Sequence, residues 1–387
     1  MAARVPVSSE VLLWALDRAP NSDAILDAMP KVNEWIAGDT DPTIKQLSDF
    51  AARTGTPYGY MFLPAPPALE LPVQDFREGF SGGGFSEPSA NLLAVVHQSV
   101  RRQDWYRDYA LDNGFDEVEA VGRGEGMTAD EVAADMRQVL RFEVRQRRGS
   151  WSDQRKHLLN EFEALGGLTV TTSMVANNTH RPLDLDEFRG FSLVDSLAPL
   201  VFVNAKQTIN GQLFTLGHEF AHVWRGVGGI SNEDLKWEPQ GELEKWCNAV
   251  ASEFLVPNAD LVERFGDVAK YGLTEQLEQL SAAYRCGTLV VLHAMRRSGV
   301  RKFENYKATY EAESDRLKAL DKANQGDGPG GQFIYNQPFR IGRRLSQALI
   351  SDALAGRTAF TEATRLMSFK SMKNFDAYAK HLGMVHG

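Results

Sequence analysis

Apolar residues recur at three- and four-residue spacing through most of the chain, and that period predicts a mainly helical protein. In SSEVLLWALDRAPNSDAILDAMPKVNEWIAGDTDPTIKQLSDFAARTGTPYGYMFLP, Val11, Leu12, Ala15 and Leu16 share one helical face. Ala24, Ile25 and Met29 share a second, and Ile44, Leu47, Phe50 and Ala51 a third. Turns at Gly38 to Pro42 and Gly55 to Pro57 separate short helices, so residues 1–68 read as a small helical module. The Pro-, Gly- and Ser-rich stretch that follows reads as an extended linker over 69–89, with a flexible SGGG inside it. Helical spacing returns over 90–164, in QSVRRQDWYRDYALDNG, TADEVAADMRQVLRFEVRQRR and KHLLNEFEALGG.

After that last helix the pattern changes. LTVTTSMV, FRGFSLVD and PLVFVNA are short and rich in β-branched and aromatic residues, which predicts a small sheet. A helix bearing FTLGHEFAHVW follows, so the expected class is mainly α with a small β-sheet (α+β). Residues 301–387 read as a helical carboxy-terminal unit: a charged helix in FENYKATYEAESDRLKALDKA, a flexible QGDGPGGQ, and a last set of helices. Leu345, Leu349 and Leu354 line one side of that final set, either completing the core or meeting a partner.

The chemistry concentrates in HEFAH. His218 and His222 stand four apart, so on a helix both imidazoles leave one face and can converge on one metal ion. Glu219 sits beside that pair, where a carboxylate can take a proton from an activated water, as in the HExxH peptidases. A third ligand is needed. GELEKWCNAVASEFLVP reads as a second helix whose apolar side carries Leu243, Cys247, Val250, Ala251 and Phe254. Glu244 falls on the edge of that buried stripe, and a carboxylate there requires a partner such as a metal. Glu233, Glu238 and Glu242 are rivals that read more naturally as solvated surface acids.

Composition narrows the setting. The 387 residues include two cysteines, Cys247 and Cys286, which neither build a disulfide framework nor form a CxxC pair, and both read as buried thiols. A net charge of −9 opposes broad nucleic-acid binding while leaving a local basic patch open. No apolar run approaches the roughly 18–20 residues that span a bilayer, and the amino terminus lacks a secretory pattern, so the expectation is a cytoplasmic protein with no membrane partner. The remaining histidines, His97, His157, His180, His293, His381 and His386, are isolated in sequence.

LVFVNAKQTINGQLFTLGHEFAHVW followed by ELEKWCNAVASEFLVP resembles the ImmA/IrrE group of zinc metallopeptidases over about residues 165–260, in both halves and in their order. The resemblance implies a zinc peptidase domain over 165–300, with Zn2+ held by His218, His222 and Glu244 and with Glu219 as catalytic base. This chain departs from the pattern at Cys247, where Ala is usual, at Ala249 and Val250, and at Leu213, where Arg is usual. VNEWIAGDTDPTIKQLSDFAARTGTPYGYMF resembles the second half of an XRE-type helix-turn-helix, with a degenerate front half that Pro30 interrupts. That likeness would make Lys31 and Asn33 the DNA contacts and operator DNA a partner. The whole layout resembles XRE-plus-ImmA/IrrE proteins encoded beside PIN-domain ribonuclease toxins. Two functions are therefore expected to compete: a regulatory zinc endopeptidase that cleaves a specific protein, a repressor or a toxin, and an antitoxin or transcriptional regulator that binds a PIN-domain toxin or DNA and keeps the peptidase fold as a scaffold.

Overall fold

A computed structural model describes residues 4–19, 21–67, 71–75, 87–231, 241–324 and 333–384. Its contacts divide the chain into two units: 1–72 with 79–98 and 174–183, and 73–78 with 99–173 and 184–387. Most of the expected linker, including SGGG, and the stretch QGDGPGGQ lie outside the described residues, as do Glu233 and Glu238.

In the first unit, α1 (Ser9–Asp17), α2 (Ser22–Ala28), α3 (Lys31–Ala37) and α4 (Ile44–Thr54) enclose a core of Leu12, Leu16, Ile25, Val32, Trp35, Leu47 and Phe50. Trp35 meets Phe50 edge-on at 6.3 Å. Pro30 directly precedes α3, the position where its missing N–H costs no helical bond. Gly38 closes α3 at φ +78°, a left-handed conformation that glycine adopts without a Cβ clash. Thr43 and Gln46 cap the start of α4 reciprocally. Two residues leave the expected apolar faces: Ile44, the first residue of α4, is 53% exposed, and Ala24 on the short α2 is exposed.

α5 (Ala90–Asp112), α6 (Ala129–Val139) and α7 (Trp151–Ala164) lead to β1 (Leu168–Thr172), β2 (Gly190–Leu193) and β3 (Leu200–Asn204). These strands are buried along their whole length, as expected of a sheet covered on both faces. α8 (Ile209–Arg225) crosses the sheet, and β4 (Gly229–Ser231) then returns to it. The order is β1-β3-β2-β4, with β1 parallel to β3 and β2 antiparallel to both β3 and β4. Ser231 stands opposite Gly190 in this register. The arrangement is the α+β class that the periodicities predict, with one strand, β4, that they do not.

α9 (Glu242–Leu255), α10 (Asn258–Val268), α11 (Leu273–Tyr284) and α12 (Thr288–Ser298) complete the core round α8. Arg147 ties them together. Its buried guanidinium donates to the carbonyls of Phe254 and Leu255 at the end of α9, of Tyr284 at the end of α11, and of Phe142, whose ring it also faces at 4.0 Å. α13 (Tyr306–Asn324), α14 (Phe333–Arg340), α15 (Arg343–Leu354), α16 (Phe360–Leu366) and α17 (Met372–His381) end the chain. Leu345 and Leu349 are fully buried whereas Leu354 is 47% exposed, so most of that stripe completes the core. Glu163 on α7 accepts from the backbone N–H of Arg343 and of Arg344, satisfying the first turn of α15.

Candidate metal centre

α8 is buried from Gln212 to Trp224, so both its polar and its apolar residues face protein. Thr208 caps its start by accepting from Gly211 N–H, and Gly226 ends it at φ +78°. Trp224 donates to Asp135 on α6 at 2.8 Å, fixing the far end. Gly217, beside the first histidine, lets α9 approach closely: a Cβ there would lie 3.3 Å from Phe254 and 3.4 Å from Ala251.

On this framework His218 is 3% exposed and His222 fully buried. His222 Nδ1 lies 3.0 Å from the carbonyl of Val227, which can only accept, so Nδ1 carries a proton. His218 Nδ1 lies 2.8 Å from Asn248 Oδ1 and donates to it in the same way. These contacts orient both rings and turn both Nε2 atoms toward the same point, 3.1 Å apart. Glu244, 2% exposed, completes the triangle with oxygens 3.1 Å from His218 Nε2 and 3.2 Å from His222 Nε2. Burial pushes the Glu244 pKa up, but hydrogen bonding and charge from the His218 and His222 side chains outweigh this and hold the carboxyl at about 2.

That triangle needs positive charge. Protons on both Nε2 atoms would neutralise Glu244 but would set two N–H groups face to face at 3.1 Å. With neutral imidazoles, the Glu244 oxygens have no hydrogen-bond donor among the described residues. One divalent cation bound by all three groups removes both problems, and a nitrogen, nitrogen, oxygen donor set is one that zinc accepts. The residues present therefore fit a metal ion.

Glu219 is fully buried next to this triangle. Its Oε1 accepts from Ser231 Oγ of β4 at 3.2 Å, while Oε2 is buried with no hydrogen-bond partner among the described residues. Burial raises its pKa, partly offset by the two histidines. Gly190 on β2 makes the room: a Cβ there would fall 2.8 Å from Glu219 Oε1 and 2.6 Å from the Thr215 methyl. A cavity of about 670 Å³ opens along the first turns of α8, with Phe214, Thr215, Gln207, Leu289, Arg189 and Lys206 among its lining.

Thus His218, His222, Glu219 and Glu244 come together, and Glu242 is an exposed acid paired with Lys245 at 2.9 Å. The sequence reading took Cys247 only for a buried thiol. It is buried, and its sulfur also lies within 4.8 Å of a ring nitrogen of each of His218 and His222. Its position one turn after Glu244 on the same helix was the available signal. Ser231 was missed because a three-residue strand has no readable period. Lys31 and Asn33 are exposed on α3.

Residues 163–296 match the family model Peptidase_M78, described as the IrrE N-terminal-like domain. Residues 341–381 match a second family model, described only as a domain of unknown function, DUF8813. No curated protein and no solved structure matches the chain. The middle of the chain is thus similar to a metallopeptidase family, and the whole of the His218, Glu219, His222 and Glu244 cluster falls inside the matched residues. Among the described residues no helix is long and apolar enough to cross a membrane.

Proposed function

We propose that this chain is a zinc-dependent endopeptidase acting as a regulatory protein that cleaves a specific protein, a repressor or a toxin. His218, His222 and Glu244 hold the metal, and Glu219 is the catalytic base. The observation that carries the reading is the buried triangle of two Nε2 atoms and a carboxylate, which one bound cation would satisfy at all three corners. A bound zinc polarises the scissile carbonyl and makes water acidic enough to attack near neutral pH. The rest falls to the protein. Glu219 takes the proton of the attacking water on Oε2, while Ser231 holds Oε1 in place. Its raised pKa suits a carboxylate that keeps this proton long enough to deliver it to the leaving amine. The cavity beside α8 offers room for the substrate side chains that flank the cut.

Glu219→Gln tests the assignment, because the amide keeps the shape and the bond to Ser231 but cannot accept the proton. Metal content should be unchanged while turnover of the cleaved protein falls by roughly a hundredfold or more. Turnover within a few-fold of the parent would remove Glu219 from the chemistry.

The second reading, a regulator that binds DNA through 1–68 and pairs with a PIN-domain toxin, is favoured by the exposure of Lys31 and Asn33 on α3. Operator binding would weaken steeply with salt and would drop in Lys31→Ala, since each phosphate contact adds to the salt slope. Co-purification with the product of a neighbouring gene, and relief of its toxicity, would identify the partner.

A further inference from the structure

Cys247 stands three positions after Glu244 on α9, fully buried, and its sulfur faces the histidine pair of α8. Among the described residues, His218, His222 and Cys247 each offer one ligand atom within 4.8 Å of those of the other two. A tetrahedral zinc with Zn–S of about 2.3 Å and Zn–N of about 2.1 Å would set nitrogen and sulfur roughly 3.6 Å apart, so this cluster needs only a modest contraction onto an ion. The Glu244 oxygens, buried without a hydrogen-bond donor among the described residues and directed at the same imidazoles, independently mark the place as one for a cation.

We propose that the Cys247 thiolate is a ligand of the same ion, which gives the centre a His, His, Glu, Cys donor set. The inference rests on the metal reading above and adds what the fourth donor does. On coordination the S–H proton leaves to solvent and a sulfur–metal bond forms, with no change of oxidation state. Four protein donors fill a tetrahedron. Closed sites of this kind are structural, whereas catalytic zinc keeps one position for water. The resting centre is then latent, and Cys247 must withdraw before water can enter beside Glu219. An alanine at this position would leave the position for water permanently open.

Cobalt(II) in place of zinc reports the donors directly. The cobalt-loaded full chain should show intense visible bands of a four-coordinate ion together with a near-ultraviolet thiolate-to-cobalt charge-transfer band. Cys247→Ala should abolish the charge-transfer band with cobalt still bound. Cys286→Ala should keep it, and that variant decides the source of the sulfur should Cys247→Ala fail to fold. Bound cobalt with no charge-transfer band in the parent protein would overturn the thiolate ligand and leave the three-ligand centre standing. A band that survives in Cys247→Ala, or disappears in Cys286→Ala, would also overturn it. A protein that takes up no cobalt would overturn the metal reading itself.

Discussion

At the scale of single residues, the centre depends as much on absent side chains as on present ones. Gly190 is the clearest instance, since any Cβ would press on Glu219 Oε1, the Thr215 methyl and the Phe202 carbonyl at 2.6–2.9 Å. Gly190→Ala should cost about 1–3 kcal/mol of stability, as overpacking in a close-packed core does. It should also lower turnover more than metal content, because the displaced group, Glu219, is the proposed base and not a proposed ligand. Urea unfolding and metal analysis on the same preparation check this, and an alanine variant with parental activity would show that the space is not needed. Glu244→Ala acts at the other end of the triangle. It removes the one carboxylate in contact with both Nε2 atoms, so zinc should be lost on dialysis. Much of this was legible beforehand. The four-residue spacing of His218 and His222 needs only helical geometry to converge, and Glu244 stood out as a carboxylate at the edge of an apolar stripe. Cys247 was not legible in that way, because a thiol on a buried helix face looks the same whether it packs or ligates.

At the scale of elements, α8 and α9 position the centre, and Arg147 and α12 hold those helices from behind. Arg147→Met would leave buried carbonyls of Phe142, Phe254, Leu255 and Tyr284 without their donor. Each such group costs about 1–3 kcal/mol, so a loss of roughly 3 kcal/mol or more is expected from denaturant midpoints, and a loss under about 1 kcal/mol would contradict the bracing role. On α12, burial beside Arg297 and Arg296 pushes His293 down to about 4, below the value of about 6.5 of an exposed histidine. As pH falls the unfolded chain therefore takes up this proton first. The stability contributed by neutral His293 is complete above about pH 6.5 and is lost between there and about pH 4, on the order of 2–3 kcal/mol. His293→Gln should flatten this part of the stability profile, and an unchanged slope would show that the imidazole takes up its proton equally in the folded and unfolded states. The long helices could be read from their periods, and the three apolar strands from their β-branched and aromatic residues. β4 could not, since Gly229–Ser231 is too short to show alternation and forms only because β2 offers it an edge. With it went Ser231, whose role beside Glu219 depends on pairing across the sheet.

At the scale of the whole molecule, a mainly helical α+β chain has a middle stretch, residues 163–296, that matches a metallopeptidase family model, with further helices before and after it. The acid and base chemistry of the account lies on two of those helices and one short strand. Bound zinc should stabilise the folded chain by linkage, since the unfolded chain has no such triangle. A chelator should thus lower the melting temperature of the parent protein and leave that of Glu244→Ala almost unchanged. The central claim is that one zinc ion sits among His218, His222 and Glu244, and anomalous diffraction from a crystal of the full chain at the zinc absorption edge tests it most directly. The account predicts a single strong peak within about 2.0–2.2 Å of both Nε2 atoms and of a Glu244 oxygen. A zinc-soaked crystal with no anomalous peak between α8 and α9, or with the peak on other residues, would contradict it.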